Sequence, residues 1–208
     1  MEDTNGFLVK VSSAVETVSA DHNIDARVGI TLIPSFTKGW HRFHVGITSL
    51  IGRFGYYGPY LYQLPITISR QVDLDDKQVL ITMYNLEQSL SSAAIERSVT
   101  MSPNDDVGGI MFCYDITYSV SWDCTRYFVE RFLKELQQSR DSVKFKQVVR
   151  KLMILGCKCD LEAERQVDFM DVQVFADERE ILFMEASATE DINVDYAFVS
   201  FAAHLLEK

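Results

Sequence analysis

The side chains best equipped for chemistry gather at two tips of the chain. Gly156-Cys157-Lys158-Cys159-Asp160 follows the apolar run Leu152 to Leu155, and Glu185-Ala186-Ser187-Ala188 follows the run Ile181 to Met184. In each case polar groups project from the carboxyl end of a short buried strand, the edge at which open α/β sheets bind ligands. Two further reactive side chains, His41 and His44, lie among Phe36, Trp40 and Phe43. Together with Cys157 and Cys159 they raise the idea of a metal- or thiol-dependent enzyme. No Cys, Asp or Glu stands near the histidines, however, and no nucleophile, base and acid are spaced as a reaction requires. The histidines are therefore read as part of a polar loop or a self-occluding plug, and no metal site is expected.

The elements that must position these tips follow from periodicity. Arg27 to Pro34 is β-branched and apolar and reads as the first strand. A strand pair from about Ile66 to Val72 and Gln78 to Met83 turns through Asp73 to Lys77, and Gly109 to Tyr114 reads as a central strand. Trp122, Phe128, Phe132, Leu133 and Leu136 fall at helical intervals, which predicts a helix over Ser121 to Gln138. Val167 to Glu178 and Val194 to Leu206 give two more helices, the last capped by Asp191 or Asn193. Residues 91–106 read as weakly helical or mobile, and Ser139 to Arg150 as a solvated basic connection.

The 208 residues, 47% of them apolar, suffice for one domain with a core. The expected organisation is an extension over 1–25 and an α/β domain over 26–208 built on a mostly parallel six-stranded sheet flanked by helices. A net charge of −10, from 20 basic and 30 acidic residues, argues against nucleic acid and anionic membrane as partners. Four cysteines without paired spacing point to a reducing compartment. The sequence ends at Ala203-His204-Leu205-Leu206-Glu207-Lys208 without a terminal cysteine, so no direct membrane anchor is expected.

From Cys113-Tyr114-Asp115-Ile116-Thr117 through Leu155 to Leu161, Glu164-Arg165-Gln166-Val167, Glu185 to Ala188 and Ile192-Asn193-Val194, order and spacing resemble the second half of a Ras-superfamily small GTPase, most closely the Rab branch. The resemblance covers roughly residues 109–208. It implies a small-GTPase fold in which Asn-Lys-x-Asp reads guanine, its Asp accepting both hydrogen bonds from the base. Here that motif stands as Cys157-Lys158-Cys159-Asp160. By the same resemblance Gly46, Thr48, Ser49, Lys158, Asp160, Ser187 and Ala188 match nucleotide-binding positions.

Other positions depart from the family pattern. Alignment on His44-Val45-Gly46-Ile47-Thr48-Ser49-Leu50 puts His41 at the first glycine of the phosphate loop and Ile47 at its lysine. The loop 34–45 is longer than the family's and bulky enough to fill a phosphate cradle. Tyr62 falls at the threonine that senses Mg²⁺, and Asn85-Leu86-Glu87-Gln88-Ser89 replaces Asp-x-x-Gly-Gln. Asn85 thus takes the place of the carboxylate on the metal's water shell, Gln88 of the glycine that meets the γ-phosphate, and Ser89 of the water-orienting glutamine.

These departures imply a Rab-like pseudoGTPase with no catalytic residue and no expected cofactor. It would be a constitutive protein-binding module in trafficking or a cytoskeletal or ciliary assembly. The alternative is an atypical switch that binds GTP or GDP with Mg²⁺ and hydrolyses slowly or with a partner's help. The expected partner surface is the switch-equivalent one, with Tyr56, Tyr57, Tyr60, Leu61, Tyr62, Leu86, Leu90 and Ile95 as its candidates. The expected location is the cytoplasm, with recruitment to a membrane or the cytoskeleton through a partner.

Overall fold

The structure, a computed structural model, describes residues 24–34, 45–55, 67–85, 107–138 and 151–207. Its strands are β1 (Ala26–Pro34), β2 (Thr67–Leu74), β3 (Lys77–Asn85), β4 (Val107–Asp115), β5 (Leu152–Cys157) and β6 (Leu182–Ala186). They form one sheet in the order β2-β3-β1-β4-β5-β6. Only β2 and β3 run antiparallel. Their hairpin turns at Asp75 and Asp76, whose φ values of 45° and 63° are the left-handed pair a two-residue turn needs to follow the strand twist. Because β1 lies between β3 and β4, the strand order reverses beside it. The carboxyl ends of β1, β3, β4, β5 and β6 share one edge.

Alternation along the strands feeds two cores. Met111, Cys113, Met153, Leu155 and Cys157 belong to the cluster that packs α1 (Ile47–Phe54) and α4 (Val194–Leu206) on one face. Ile110, Phe112, Tyr114, Leu152 and Ile154 belong to the cluster under α2 (Ser119–Gln138) and α3 (Phe169–Asp177) on the other. Trp122 of α2 sits between the layers, its ring 5.2 Å from both Tyr114 and Phe175. The α3 helix starts at Asp168, whose Oδ1 accepts from the Met170 and Asp171 amides at 2.7 and 3.2 Å, satisfying two otherwise orphaned donors.

The elements expected from the sequence are present in the described residues, with shifted ends. β5 runs on to Cys157, so the first polar tip begins inside the strand. Phe128 is half-buried rather than core, and the side chain of Leu136 lies outside the described set. The expected side-chain cap on α4 is absent. Asn193 takes the cap position with φ 58°, but its Nδ2 donates to the Glu185 carbonyl at 2.9 Å, and Asp191 lies 3.8 Å from Arg53. The expectations for 1–23, 35–44, 56–66, 86–106 and 139–150 fall outside the described residues. Among the described residues no helix is long and apolar enough to cross a membrane.

Candidate functional site

The sheet edge gathers the motif positions. Gly46 and Ile47 open α1 beside the end of β1, with Thr48 and Ser49 in its first turn. Asn85 ends β3 opposite Leu32 of β1. Cys157, Lys158 and Asp160 leave β5, and Ser187 and Ala188 leave β6. His41, Tyr62, Gln88 and Ser89 lie outside the described residues, as do His44, the side chain of Asn85, and the surface candidates Tyr56, Tyr57, Tyr60, Leu61, Leu86, Leu90 and Ile95.

At the β5 tip, Cys157 is only 1% exposed and belongs to the apolar cluster. Its hydrogen bond with the Cys113 thiol, reinforced by burial, holds its own thiol well above the ordinary range, so it stays neutral. Burial also raises the Cys159 thiol. Neither is the activated thiolate a nucleophile needs. Lys158 turns out of the strand with φ 66°, and its Nζ lies 2.5 Å from Oδ2 of buried Asp115. The other oxygen of Asp115 accepts from the Thr117 amide at 2.8 Å and its hydroxyl at 2.7 Å. Both oxygens of that carboxylate are engaged within the fold itself. Asp160, half-exposed at the same tip, has no hydrogen-bond partner among the described residues.

A second network knits the β6 tip. Arg165 forks onto Glu185 with two bonds of 2.8 Å and also grips Glu162, which keeps its guanidinium charged. The Tyr114 hydroxyl donates to the same Glu185 carboxylate at 3.3 Å. Gly156 is required where these groups cross, since a Cβ there would stand 2.8 Å from the Tyr114 hydroxyl oxygen. Beyond the strand, Ser187 and Ile192 exchange backbone bonds of 2.9 and 3.0 Å, and the Ser187 hydroxyl accepts from the Glu190 amide at 3.2 Å. Arg53, in the last turn of α1, donates to the carbonyls of Ala188 at 2.7 Å and Thr189 at 2.9 Å. Nothing singled Arg53 out beforehand; a lone base ending an apolar helix was its only signal.

The start of α1 is different in kind. Gly46 adopts φ 92°, a conformation that favours glycine, and its carbonyl accepts from the Leu50 amide at 2.9 Å. Ile47 follows, 5% exposed and part of the same apolar cluster as Val45, Leu32 and Cys157. Arg53 is the helix's one base and is committed at its far end. The first turn therefore offers an anion only backbone amides and the hydroxyls of Thr48 and Ser49. Of the positions matched by resemblance, Asp160 places a carboxylate at the β5 tip and Ile47 a buried branched alkyl chain at the start of α1. Among the described residues no group of His, Cys, Asp and Glu is placed to hold a metal ion.

Comparison with known proteins gives this arrangement a family. The Ras family model matches residues 43–207, beginning after β1. The chain is 30% identical over 138 residues to the GTP-binding protein ypt2 of Schizosaccharomyces pombe, covering 65% of this chain and 61% of that protein. It is equally similar, with the same coverage, to the Ras-related protein Rab-1C of Dictyostelium discoideum. The match thus spans less than two thirds of either relative. Over 170 residues it is 30% identical to the Ras-related protein Rab-13 of Rattus norvegicus, covering 79% of this chain and 76% of that one. The sheet order, the tips that carry the motifs and the span of the match agree: the chain belongs to the Ras family, on its Rab-like side.

Proposed function

We propose that this protein is a Rab-like pseudoGTPase, a protein-binding module of one standing conformation in which tight guanine-nucleotide binding and hydrolysis are lost. The observation that carries this reading is the burial of Ile47 in the apolar cluster at the position of the phosphate-loop lysine. Losing one charged hydrogen bond to a phosphate costs roughly 1.5–3 kcal/mol, a ten- to hundredfold loss in affinity, and desolvating the anion against alkyl surface adds to it. Without γ-phosphate and metal contacts, the segments 56–64 and 86–95 have no nucleotide to bias them, which supports a constitutive partner surface there. Recruitment of a cytoplasmic protein to a membrane or cytoskeletal assembly through that partner fits the same reading.

Asp160 favours a second reading, an atypical GTP- or GDP-binding switch using Mg²⁺, because it is the one motif carboxylate not consumed by the fold. Denaturing the purified protein and chromatographing the released small molecules separates the two. The first reading expects no guanine nucleotide, and stoichiometric GDP or GTP overturns it.

A further inference from the structure

Helix α3 holds three large apolar side chains in water: Phe169 is 41% exposed, Met170 59% and Val174 49%. Met170 and Val174 are one turn apart and Phe169 adjoins Met170, so they make a single stripe. The Phe169 ring rests on Phe183 of the edge strand β6 at 5.1 Å between centroids, which carries the stripe onto the sheet. The fold does not need this face, since α3 buries Val172, Phe175 and Ala176 on its other side.

Exposed apolar residues alone are ordinary on a protein surface. The charge around these is not. Between residues 160 and 180 there are eight acidic side chains against two bases, Arg165 and Arg179, and no lysine. Both bases are engaged. Arg165 holds Glu185 and Glu162, while Arg179 lies 3.8 Å above the Phe175 ring, donates to the Phe175 carbonyl at 3.0 Å and pairs with Glu178 at 3.2 Å and Glu130 at 3.5 Å. The stripe is therefore bordered on α3 and its flanks by the exposed carboxylates of Asp168, Asp171, Asp177 and Glu180, which no base among the described residues engages.

We propose that this face of α3 docks an amphipathic helix of a partner protein, apolar on one side and flanked by lysine and arginine. An apolar stripe on the incoming helix would cover Met170, Val174 and the Phe169–Phe183 pair, and its bases would meet the acidic rim. A second copy of this chain is the wrong occupant: a two-fold contact would lay acidic rim on acidic rim in a protein of net charge −10. The proposal concerns the outer face of α3 and stands whether or not nucleotide binds.

The test titrates the full chain with a labelled helical peptide that has leucines on one face and lysines and arginines elsewhere, and with a twin in which glutamates replace the bases. The basic peptide is expected to bind and to weaken as salt rises. Met170→Ala with Val174→Ala, exposed positions that leave the melting temperature in place, should weaken it about tenfold. Equal binding of the acidic twin, or undiminished binding by the folded double variant, overturns the proposal. So does concentration-dependent dimerisation of the wild type that Met170→Asp abolishes, which would assign the face to a second copy.

Discussion

The two halves of the nucleotide-site edge are built on opposite principles. On the β5 and β6 side, motif residues are tied into the chain: Lys158 to Asp115, Ser187 to the Glu190 amide, the Ala188 carbonyl to Arg53. Among the described residues at the start of α1 no charged side chain is present, and Ile47 belongs to the core. A polar residue with a partner inside the fold is needed by the fold whether or not a ligand comes, because breaking the pair leaves a buried group unsatisfied. The lysine of a phosphate loop is there for its ligand. A motif match on the base side therefore measures the fold's own requirements as much as ligand binding, and Asp160 alone escapes that ambiguity.

The strongest way to break the comparison is to attack the knit side. Glu185 is 8% exposed and carries the Arg165 fork, so Glu185→Ala should cost about 3–5 kcal/mol, roughly 6–20 °C in melting temperature, by leaving Arg165 only the exposed Glu162 and the buried Tyr114 hydroxyl no acceptor. A loss no greater than that of an exposed substitution would mean the network is not what holds the β6 tip.

Next comes the apolar side. Ile47→Ala should cost about 2–5 kcal/mol in denaturant unfolding, the range for truncating a buried Ile. Ile47→Lys should also destabilise, by about 2 kcal/mol or more, because an ammonium replaces a core methyl, and GDP with Mg²⁺ should not restore the loss. A stable lysine variant whose melting temperature climbs with GDP would show an open cradle lacking only its cation.

The smallest effect is alkaline. Cys157 and Tyr114 both have raised values in the fold, the first through its Cys113 partner and burial, the second through burial and then the Glu185 carboxylate. Their neutral forms are favoured in the native state. The stability they contribute is complete below the unfolded values, about 8.5 for the thiol and 10 for the phenol, and declines as pH rises beyond them. Unfolding free energy should fall by about 1–2 kcal/mol between pH 8 and pH 10, and Cys157→Val should remove most of that fall. A flat profile would mean that Cys157 reaches solvent.

Much of the fold was legible because it rests on local pattern. The apolar runs Leu152 to Leu155 and Gly109 to Tyr114 became strands, and the interval of Trp122, Phe132 and Leu133 became the buried face of α2. The candidate site was less legible, for a physical reason. Sequence spacing says which residues leave a strand together but not which partner each will find. Lys158 was legible as a motif position, but its bond to Asp115 was not, because that residue lies 43 positions earlier and comes alongside only because β4 and β5 pair. Arg53 reaches Ala188 across 135 positions for the same kind of reason.

The sequence by itself determined the six strands and the family to which they belong, because periodicity and residue identity are local facts. Only the tertiary structure decided that Ile47 and Cys157 share one apolar cluster and that the Lys158 ammonium is engaged by a carboxylate from another strand. It also left the apolar stripe of α3 in water within a ring of carboxylates. Burial and pairing are properties of what the chain brings alongside a residue, and no stretch of sequence contains its own neighbours.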